Sequence, residues 1–472
     1  MLRACALAAA LLTGCHGKEE PAPQPVPEPQ AEQPEAPVTQ PDFPEGTRSL
    51  QLTRTVGVRL EPAEDAKRIG NIAIDTRVAW NKIAAGKGCD KPWVEIEPRG
   101  WVCGEYLIPS KKAPYGQEVP HLDRGEIVPG IYGKVTGPGA TTYALEKKKK
   151  DKKKKGPVTS PDDDQPKMIE DKPLVGSVNV RQYDEITIGG RVYWKISQKD
   201  NEYVQQGVIA RHVPSRYGGS RLADDTGIAM PIAFVWPRYG GLQAWTMAKP
   251  TGGVMRQLDA RVALPIVETS NDKDGKPIAY RIGEGEWIAA ADVRAFKPAA
   301  PPPYLEKNER WIDVDLDQQI LVAYEGDLAV YATMVSSGGK ETPTETGVYR
   351  MWLKESEADM KGLNGEDPYS VATVPWTQFF SPEKGLALHT AYWHDQFGHQ
   401  RSHGCVNLAP RDARWLYFWS DPQVPPGWTM TAGVVEAPGS VVRIRTTAEP
   451  EPPAKGYAKK VLEARQQNAP AR

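Results

Sequence analysis

Proline and glycine interrupt this chain so often that the sequence favours short strands and many turns over long helices. Of 472 residues, 44 are Pro and 43 are Gly. Pro cannot donate a backbone hydrogen bond, and Gly is the residue that suits turns with a positive φ. Between these breaks lie short runs rich in Val, Ile, Tyr and Trp, which are typical of strands. The sequence therefore predicts a mainly β protein, divided into several domains of ~100–200 residues each.

The formal charges nearly cancel, with 59 Lys and Arg against 60 Asp and Glu. A balanced chain has no strong overall field that would attract a nucleic acid or an acidic polymer. We therefore predict no nucleic-acid partner.

Residues 1–14 are typical of an export signal, because Arg3 precedes an apolar core, Cys5–Leu12, that is too short to span a bilayer. Leu12-Thr13-Gly14-Cys15 then resembles a lipobox, which implies cleavage before a lipidated Cys15. The alternative is an ordinary signal peptide in which Cys15 is incidental. Residues 15–46, rich in Pro, Glu and Gln, predict a disordered tether. We expect an exported, periplasmic lipoprotein anchored in a membrane, with the outer membrane favoured over the inner.

The remaining cysteines divide into a pair and a single residue. Cys89 and Cys103 lie in one β-rich segment, and in an oxidising compartment they predict a disulfide, with two unpaired buried thiols as the alternative. Cys405 has no such neighbour. An unpaired thiol in an exported protein is either incidental or reactive.

Three segments carry a similar rhythm of short strands. Residues 47–110 resemble a bacterial SH3-like domain, a small β-barrel, and residues 126–214 resemble a degenerate copy. A third such unit is expected at residues 228–297. The resemblance implies either binding of wall peptides or service as a spacer, and both remain open. Within the second segment, the Lys-rich stretch 147–155 predicts a solvated loop rather than an anion-binding arm.

Residues 304–446 predict a further β domain, followed by a C-terminal tail at 447–472. Trp311–Asp317 alternates apolar and polar residues, as a half-buried strand does, and Ile320–Val335 has the pattern of a hairpin. Further along stand His389, the motif Ser402-His403-Gly404-Cys405-Val406-Asn407, and then Pro410 at the start of a predicted helix with Trp415, Leu416 and Trp419 on its buried side.

The motif has the groups that thiol chemistry requires. A thiol becomes a strong nucleophile as thiolate, and an imidazole can take its proton and later protonate a leaving amine. His389 and His403 are two candidates for that base. Gly404 allows close approach of the backbone, so that main-chain N–H groups can converge on a carbonyl oxygen.

The region 311–445 resembles the L,D-transpeptidase catalytic domain, also called the YkuD-type domain. The resemblance rests on His389, fourteen residues before His403 of the Ser-His-Gly-Cys motif, and on a Thr-Pro turn that ends at Gly347. It implies a β-sandwich with a short helix after the catalytic cysteine. The resemblance also assigns the following roles: Cys405 as nucleophile, His389 as general base and acid, Thr390 as the carbonyl that orients His389, Gly404 and the amides of Cys405 and His403 as the oxyanion hole, Ser402, His403 and Asn407 as residues that shape the loop, and Asn407 and Arg401 as substrate contacts.

The implied reaction transfers an acyl group from a peptidoglycan tetrapeptide stem to an amine of a neighbouring stem, without a cofactor, and we expect a monomer. Hydrolysis of the donor, exchange of D-amino acids and attachment or release of a protein at the wall remain alternatives, because all pass through one acyl-enzyme. So does a non-catalytic peptidoglycan-binding lipoprotein. A zinc site formed by His389, His394, His399, His403 and Cys405 is a weaker alternative. The polar segment Lys354–Tyr369 predicts a lid over the cleft.

Overall fold

The computed structural model describes residues 43–146, 166–222, 228–238, 244–302, 305–362 and 368–467. Outside these residues lie the predicted signal, the predicted lipidation site Cys15, nearly all of the predicted tether and the Lys-rich insertion. Within the described ranges, no helix is both long enough and apolar enough to cross a membrane.

The first β unit has eight strands in two sheets. Its strands are β1 (Ser49–Leu52), β2 (Val56–Arg59), β3 (Arg68–Ile72), β4 (Arg77–Val78), β5 (Trp80–Ala84), β6 (Trp93–Ile96), β7 (Trp101–Cys103) and β8 (Leu107–Ser110). The sheet orders are β4-β1-β8 and β3-β2-β7-β6-β5. Cys89 and Cys103 are joined by a disulfide, which packs with Trp93 and Trp101 at the edge of the core.

The second and third units also have eight strands each. The second contains β9 (Ile131–Val135), β10 (Thr141–Leu145), β11 (Met168–Pro173), β12 (Ser177–Gln182), β13 (Asp184–Ile188), β14 (Arg191–Lys195), β15 (Tyr203–Gln205) and β16 (Ile209–Arg211). After the short β17 (Ser220–Arg221), the third contains β18 (Ile232–Val235), β19 (Ala244–Lys249), β20 (Gly252–Leu258), β21 (Ala263–Pro265), β22 (Glu268–Asn271), β23 (Pro277–Gly283), β24 (Glu286–Ala289) and β25 (Val293–Phe296).

All three units share one topology. Counted within each unit, strands 4, 1 and 8 form a three-stranded sheet, and strands 3, 2, 7, 6 and 5 form the other sheet. A single 3₁₀ turn precedes the last strand in each case: Gly104–Tyr106, Gln206–Val208 and Ala290–Asp292. The structure thus repeats one strand order in the three segments for which the sequence predicted a repeat. The SH3-like assignment itself stays a prediction.

The C-terminal domain is a β-sandwich with a helix against one sheet. Its elements are β26 (Arg310–Asp315), β27 (Ile320–Glu325), β28 (Leu328–Met334), β29 (Gly347–Arg350), β30 (Leu353–Gly362), β31 (Tyr369–Ser381), β32 (Leu386–Thr390), β33 (Val406–Leu408), α1 (Pro410–Trp419), β34 (Trp428–Ala432), β35 (Val441–Arg445) and α2 (Gly456–Gln467). One sheet has the order β17-β28-β27-β26-β35-β29, and β34-β30-β31-β32-β33 belongs to the other.

Apolar side chains of both sheets and of α1 meet in one core, which includes Ile312, Leu388, Leu416 and Val442. The helix differs in detail from the prediction. Leu416 is buried, but Trp415 and Trp419 are only partly buried and stack on each other. Tyr417 takes the buried position instead. The predicted tail includes α2, which packs on β29 through a fully buried Val461.

The β units are joined to the catalytic sheet through the main chain. Strand β12 of the second unit pairs in parallel with β31, and β3 of the first unit pairs with β34. The third unit packs Phe234 and Phe296 into a cluster with Trp311 of the C-terminal domain. Because these contacts use hydrogen-bonded strands and buried side chains, the units form part of one continuous framework around the C-terminal domain.

The predicted lid at Lys354–Tyr369 is a pair of strands in its described residues, and its role as a lid stays a prediction. Most of its described residues belong to the antiparallel pair β30 and β31. Lys354 is fully buried and donates hydrogen bonds to the carbonyl oxygens of Tyr417 and Ser420 at the end of α1. The start of the segment is therefore part of the core, because a lysine can be buried when carbonyl oxygens accept its hydrogen bonds. Met360 and Tyr369, farther along the segment, line the cleft.

Candidate active site

His389 is held by its own backbone neighbour in one tautomer. It stands near the end of β32, almost fully buried, and its Nδ1 lies 2.9 Å from the carbonyl oxygen of Thr390. A carbonyl only accepts hydrogen bonds, so Nδ1 carries the proton and donates it. In the neutral ring, Nε2 therefore has a free lone pair, which is the form that a general base requires. The Thr390 carbonyl therefore contacts His389, and its role in orienting a catalytic base stays a prediction.

Cys405 is brought towards His389 by a parallel strand pair. It lies directly before β33, which pairs with β32, and His389 is opposite Asn407 in this register. The Sγ atom of Cys405 lies 3.9 Å from the carbonyl oxygen of Gly385, just before β32. Cys405 is half-buried and is the free cysteine within the described ranges. Cys405 and His389 line the same cleft.

The loop that carries Cys405 is braced by hydrogen bonds. Ser402 Oγ donates to the carbonyl oxygen of Cys405 and accepts from Gly404 N–H at 3.2 Å. Thr344 Oγ1 donates to the Gly404 carbonyl oxygen at 2.7 Å, which explains why the Thr-Pro turn accompanies the cysteine motif. Gly404 has a φ of +119°, a conformation that residues with a side chain rarely adopt.

The predicted oxyanion hole is only partly consistent with this loop. Because Gly404 N–H is directed at Ser402 Oγ, this amide is occupied in the structure. It can bind a carbonyl oxygen only if that hydrogen bond breaks. The Cys405 and His403 amides remain predictions for this role.

His403 and Arg401 lie at the exposed side of the cleft. The ring of His403 stacks on Tyr369, with 4.6 Å between ring centroids. His403 therefore forms part of the wall of the cleft, and His389, whose Nδ1 is held by the Thr390 carbonyl, is the better candidate for the base. Arg401 is in position to meet a substrate carboxylate, which stays a prediction.

Asn407 is almost fully buried, and its side-chain Nδ2 lies 3.0 Å from Nε2 of His394. Gln396 N–H donates to Nδ1 of His394, so the neutral ring carries its proton on Nε2. Asn407 accepts that proton in a hydrogen bond when its amide is turned so that Oδ1, which has no other partner, takes the place of Nδ2. Burial lowers the pKa of His394 to about 4, which keeps the ring neutral. Asn407 therefore braces the loop before the motif, and substrate contact by this residue stays a prediction.

The histidines of the zinc alternative are used in other contacts. His394 bonds to Asn407, and Nε2 of His399 bonds to the carbonyl oxygen of Pro237 in the third unit. Among the described residues, no group of three or more His, Cys, Asp and Glu side chains is arranged to hold a metal ion. The donor set that a zinc site needs is not assembled here.

The loop between His389 and Cys405 is clamped by the β units. Asp395 accepts hydrogen bonds from Arg261 of the third unit and from Ser215, which follows the second unit. Tyr392 stacks on Tyr132 of the second unit, with 3.9 Å between centroids. Through these contacts the β units fix the position of the loop. No local sequence motif indicates them.

The cleft has a volume of about 230 Å³. Six further lining residues were not named as site residues from the sequence: Ser177, Asn179, Met360, Tyr369, Val371 and Trp393. Ser177 and Asn179 come from the second β unit. Met360 and Tyr369 lie within the segment that the sequence predicted as a lid over the cleft.

Burial controls the protonation of the reacting pair. It raises the pKa of the Cys405 thiol to about 11, although the backbone of Ala387 opposes this effect. Burial also lowers the pKa of His389 to about 4, against a smaller opposing effect of the Thr390 carbonyl. Near neutral pH the resting site therefore holds a thiol and a neutral imidazole, and the proton moves when the sulfur attacks.

The sequence profile of the L,D-transpeptidase catalytic domain, YkuD, matches residues 309–444. These residues are a YkuD-type L,D-transpeptidase catalytic domain. A relative in Bacillus subtilis (strain 168), YciB, is provisionally named as an L,D-transpeptidase and is 25% identical over 124 residues. The match covers 24% of this chain and 63% of YciB.

Solved L,D-transpeptidase structures are also similar to the chain. A mutant enzyme from Enterococcus faecium is 27% identical, with a TM-score of 0.24, over 29% of this chain and 50% of that one. An L,D-transpeptidase from Mycobacterium smegmatis is 19% identical, with a TM-score of 0.24, over 50% of this chain and 90% of that one.

The protonation of the L,D-transpeptidase site predicts how Cys405 responds to pH. Iodoacetamide reacts with thiolate, so its rate constant at Cys405 should rise about tenfold per pH unit between pH 7 and 10, below the raised pKa. The measurement is mass spectrometry of the Cys405 peptide after timed alkylation. A flat rate across neutral pH would instead indicate a preformed thiolate–imidazolium pair and would contradict the assigned resting state.

Proposed function

We propose that this protein is a peptidoglycan L,D-transpeptidase in which Cys405 is the nucleophile and His389 is the general base and acid. The observation that carries the proposal is the hydrogen bond from His389 Nδ1 to Thr390, which leaves Nε2 as a base in the cleft that holds the free thiol. A nucleophile, a base and a group that orients the base are the parts that covalent acyl transfer requires.

The reaction has two steps. Nε2 of His389 takes the thiol proton as the sulfur attacks the carbonyl carbon of the L-centre, usually meso-diaminopimelate, in a tetrapeptide stem. The bond to the terminal D-Ala nitrogen breaks, and the imidazolium returns its proton to that amine. An amine of a neighbouring stem then attacks the thioester, loses a proton to His389, and releases Cys405. The thioester retains the energy of the broken amide, so no nucleotide is needed.

Incubation with purified muropeptides tests the reaction type. We expect cross-linked dimers together with free D-Ala, read by mass spectrometry. Shortened stems without dimers would support an L,D-carboxypeptidase, and stems with a new D-residue would support exchange. Attachment or release of a protein at the wall is the remaining catalytic alternative. Intact muropeptides together with full binding would favour a non-catalytic binding protein and would contradict the proposal.

We further propose that the mature chain is a periplasmic lipoprotein, lipidated at Cys15, that acts as a monomer. The Leu12–Cys15 lipobox and the Pro-rich stretch that follows support this placement. A lipid anchor and an extended tether would allow a membrane-bound enzyme to reach the cell wall. Mass spectrometry of the membrane fraction tests this, since Cys15→Ala should abolish the lipid adduct.

A further inference from the structure

One wall of the cleft is built from a strand outside the L,D-transpeptidase domain. In the parallel pairing of β12 with β31, Ser177 is opposite Tyr369 and Asn179 is opposite Val371. Residues two apart on a strand project from the same face. All four residues line the cleft with Cys405. The second β unit therefore extends the catalytic wall by one strand.

The side chain of Asn179 is held in place within this wall. It is almost fully buried, and Nε2 of His212 lies 2.8 Å from its Oδ1. The acceptor is an oxygen, so His212 Nε2 carries the proton and donates it. The Nδ2 hydrogens of Asn179 are not used in that bond. They and the half-buried hydroxyl of Ser177 are donors at the surface of the cleft.

Strand β12 is also fixed relative to the catalytic sheet. Arg181, two residues beyond Asn179 on the same face, forms an ion pair with Glu357 of β30. It also donates a hydrogen bond to the carbonyl oxygen of Pro129 at 2.6 Å. Two polar donors on a rigid strand can orient a ligand without loss of much conformational freedom on binding.

We propose that Ser177 and Asn179 bind the acyl-donor stem peptide by donating hydrogen bonds to its carbonyl or carboxylate oxygens. This inference rests on the proposed function. Because both residues share one cleft with Cys405, the bound segment is the part of the donor next to the bond that breaks. The second β unit is then part of the substrate site, and substrate specificity depends on a segment outside residues 309–444.

Binding of a tetrapeptide stem to the full chain with Cys405→Ala tests the proposal without turnover. In that background, Ser177→Ala and Asn179→Ala should each raise Kd by about fivefold in calorimetry, as expected for loss of one hydrogen bond, and both together by more than tenfold. Gln182→Ala is the matched control, because Gln182 lies on the same strand but bonds to Glu185 at the surface. The Kd of this control should equal that of the parent, which is the full chain with Cys405→Ala alone.

The Asn179→Asp variant distinguishes a ligand oxygen, which a carboxylate repels, from a positively charged ligand amine, which it attracts. A carboxylate repels an oxygen ligand, so this variant should bind more weakly than Asn179→Ala. Tighter binding would indicate a substrate amine and would overturn the proposal. With Cys405 restored, Ser177→Ala should raise KM and leave kcat unchanged. Thermal unfolding of each variant checks that the fold is intact, and Ser177→Ala is the less disruptive change because Ser177 is only half-buried.

The binding experiment distinguishes failure of the Ser177 and Asn179 proposal from failure of the proposed function. If the parent chain binds the stem and Ser177→Ala and Asn179→Ala bind it equally well, the inference is overturned and the proposed function stands. If the parent does not bind any stem peptide, both are overturned.

Discussion

Turnover of a tetrapeptide stem by the Cys405→Ala variant should fall by at least ~10⁴-fold, because no other nucleophile can form the thioester. His389→Ala should cause a loss of similar size. A thiol whose pKa is raised to about 11 by burial is nearly all protonated at neutral pH, so attack requires a base that takes its proton. The measurement is kcat/KM for release of D-Ala.

The effects of the two changes should not add. Nucleophile and base act as one unit, so the double variant should be about as inactive as either single variant. His121→Ala is the matched histidine control, since His121 is exposed on the segment between the first two β units. Retention of more than a tenth of wild-type activity by His389→Ala would contradict the assignment of His389 as base.

Stability should depend most strongly on Asp313, and Asp313→Ala is expected to lower the free energy of unfolding by about 3–5 kcal/mol. Asp313 is fully buried and accepts hydrogen bonds from the guanidinium groups of Arg443 and Arg445. Without this carboxylate, two buried positive charges would lose their main counter-charge. Asp315, 3.2 Å from Arg445, is the carboxylate that would remain beside Arg445.

This ion network also holds the linker that follows the third β unit. Arg443 donates to the carbonyl oxygen of Ala300, and Arg445 donates to that of Lys297. Urea unfolding of the full chain is the measurement, with Asp327→Ala as control at an exposed turn, where a change within ~0.5 kcal/mol is expected. A loss below 1 kcal/mol for Asp313→Ala would mean that the two arginines find other partners.

Burial also sets the pH range in which His389 is neutral. His389 has its pKa lowered to about 4, so the ring stays neutral in the fold where a free imidazole would gain a proton. The unfolded chain therefore binds this proton first as pH falls below the usual value near 6.5, and the contribution of His389 to stability is lost progressively towards pH 4. Its role as a base is available throughout the neutral range.

Several features of the candidate site were predicted from the sequence because they depend on residues close together in the chain. His389 and Thr390 are adjacent, and Ser402 to Cys405 form one braced turn whose positive φ requires Gly404. The mainly β class followed from short apolar runs between Pro and Gly, and the rhythm of those runs indicated three similar units.

Other features required the tertiary structure because they depend on pairing between distant segments. The polarity of Lys354–Tyr369 did not indicate that Lys354 is buried, which follows from strand pairing and from the carbonyl groups at the end of α1. The occupied Gly404 amide also became visible only with the position of Ser402 Oγ. Side-chain polarity alone does not report whether a partner is available inside the fold.

By itself, the sequence determined the class of the fold and indicated the candidate nucleophile and base, because these follow from local periodicity and from a compact motif. Only the tertiary structure decided what surrounds them. Ser177 and Asn179 reach the cleft because β12 pairs with β31, a strand far away in the chain. Such pairing depends on the shape of whole surfaces rather than on neighbouring residues, and no local pattern contains it.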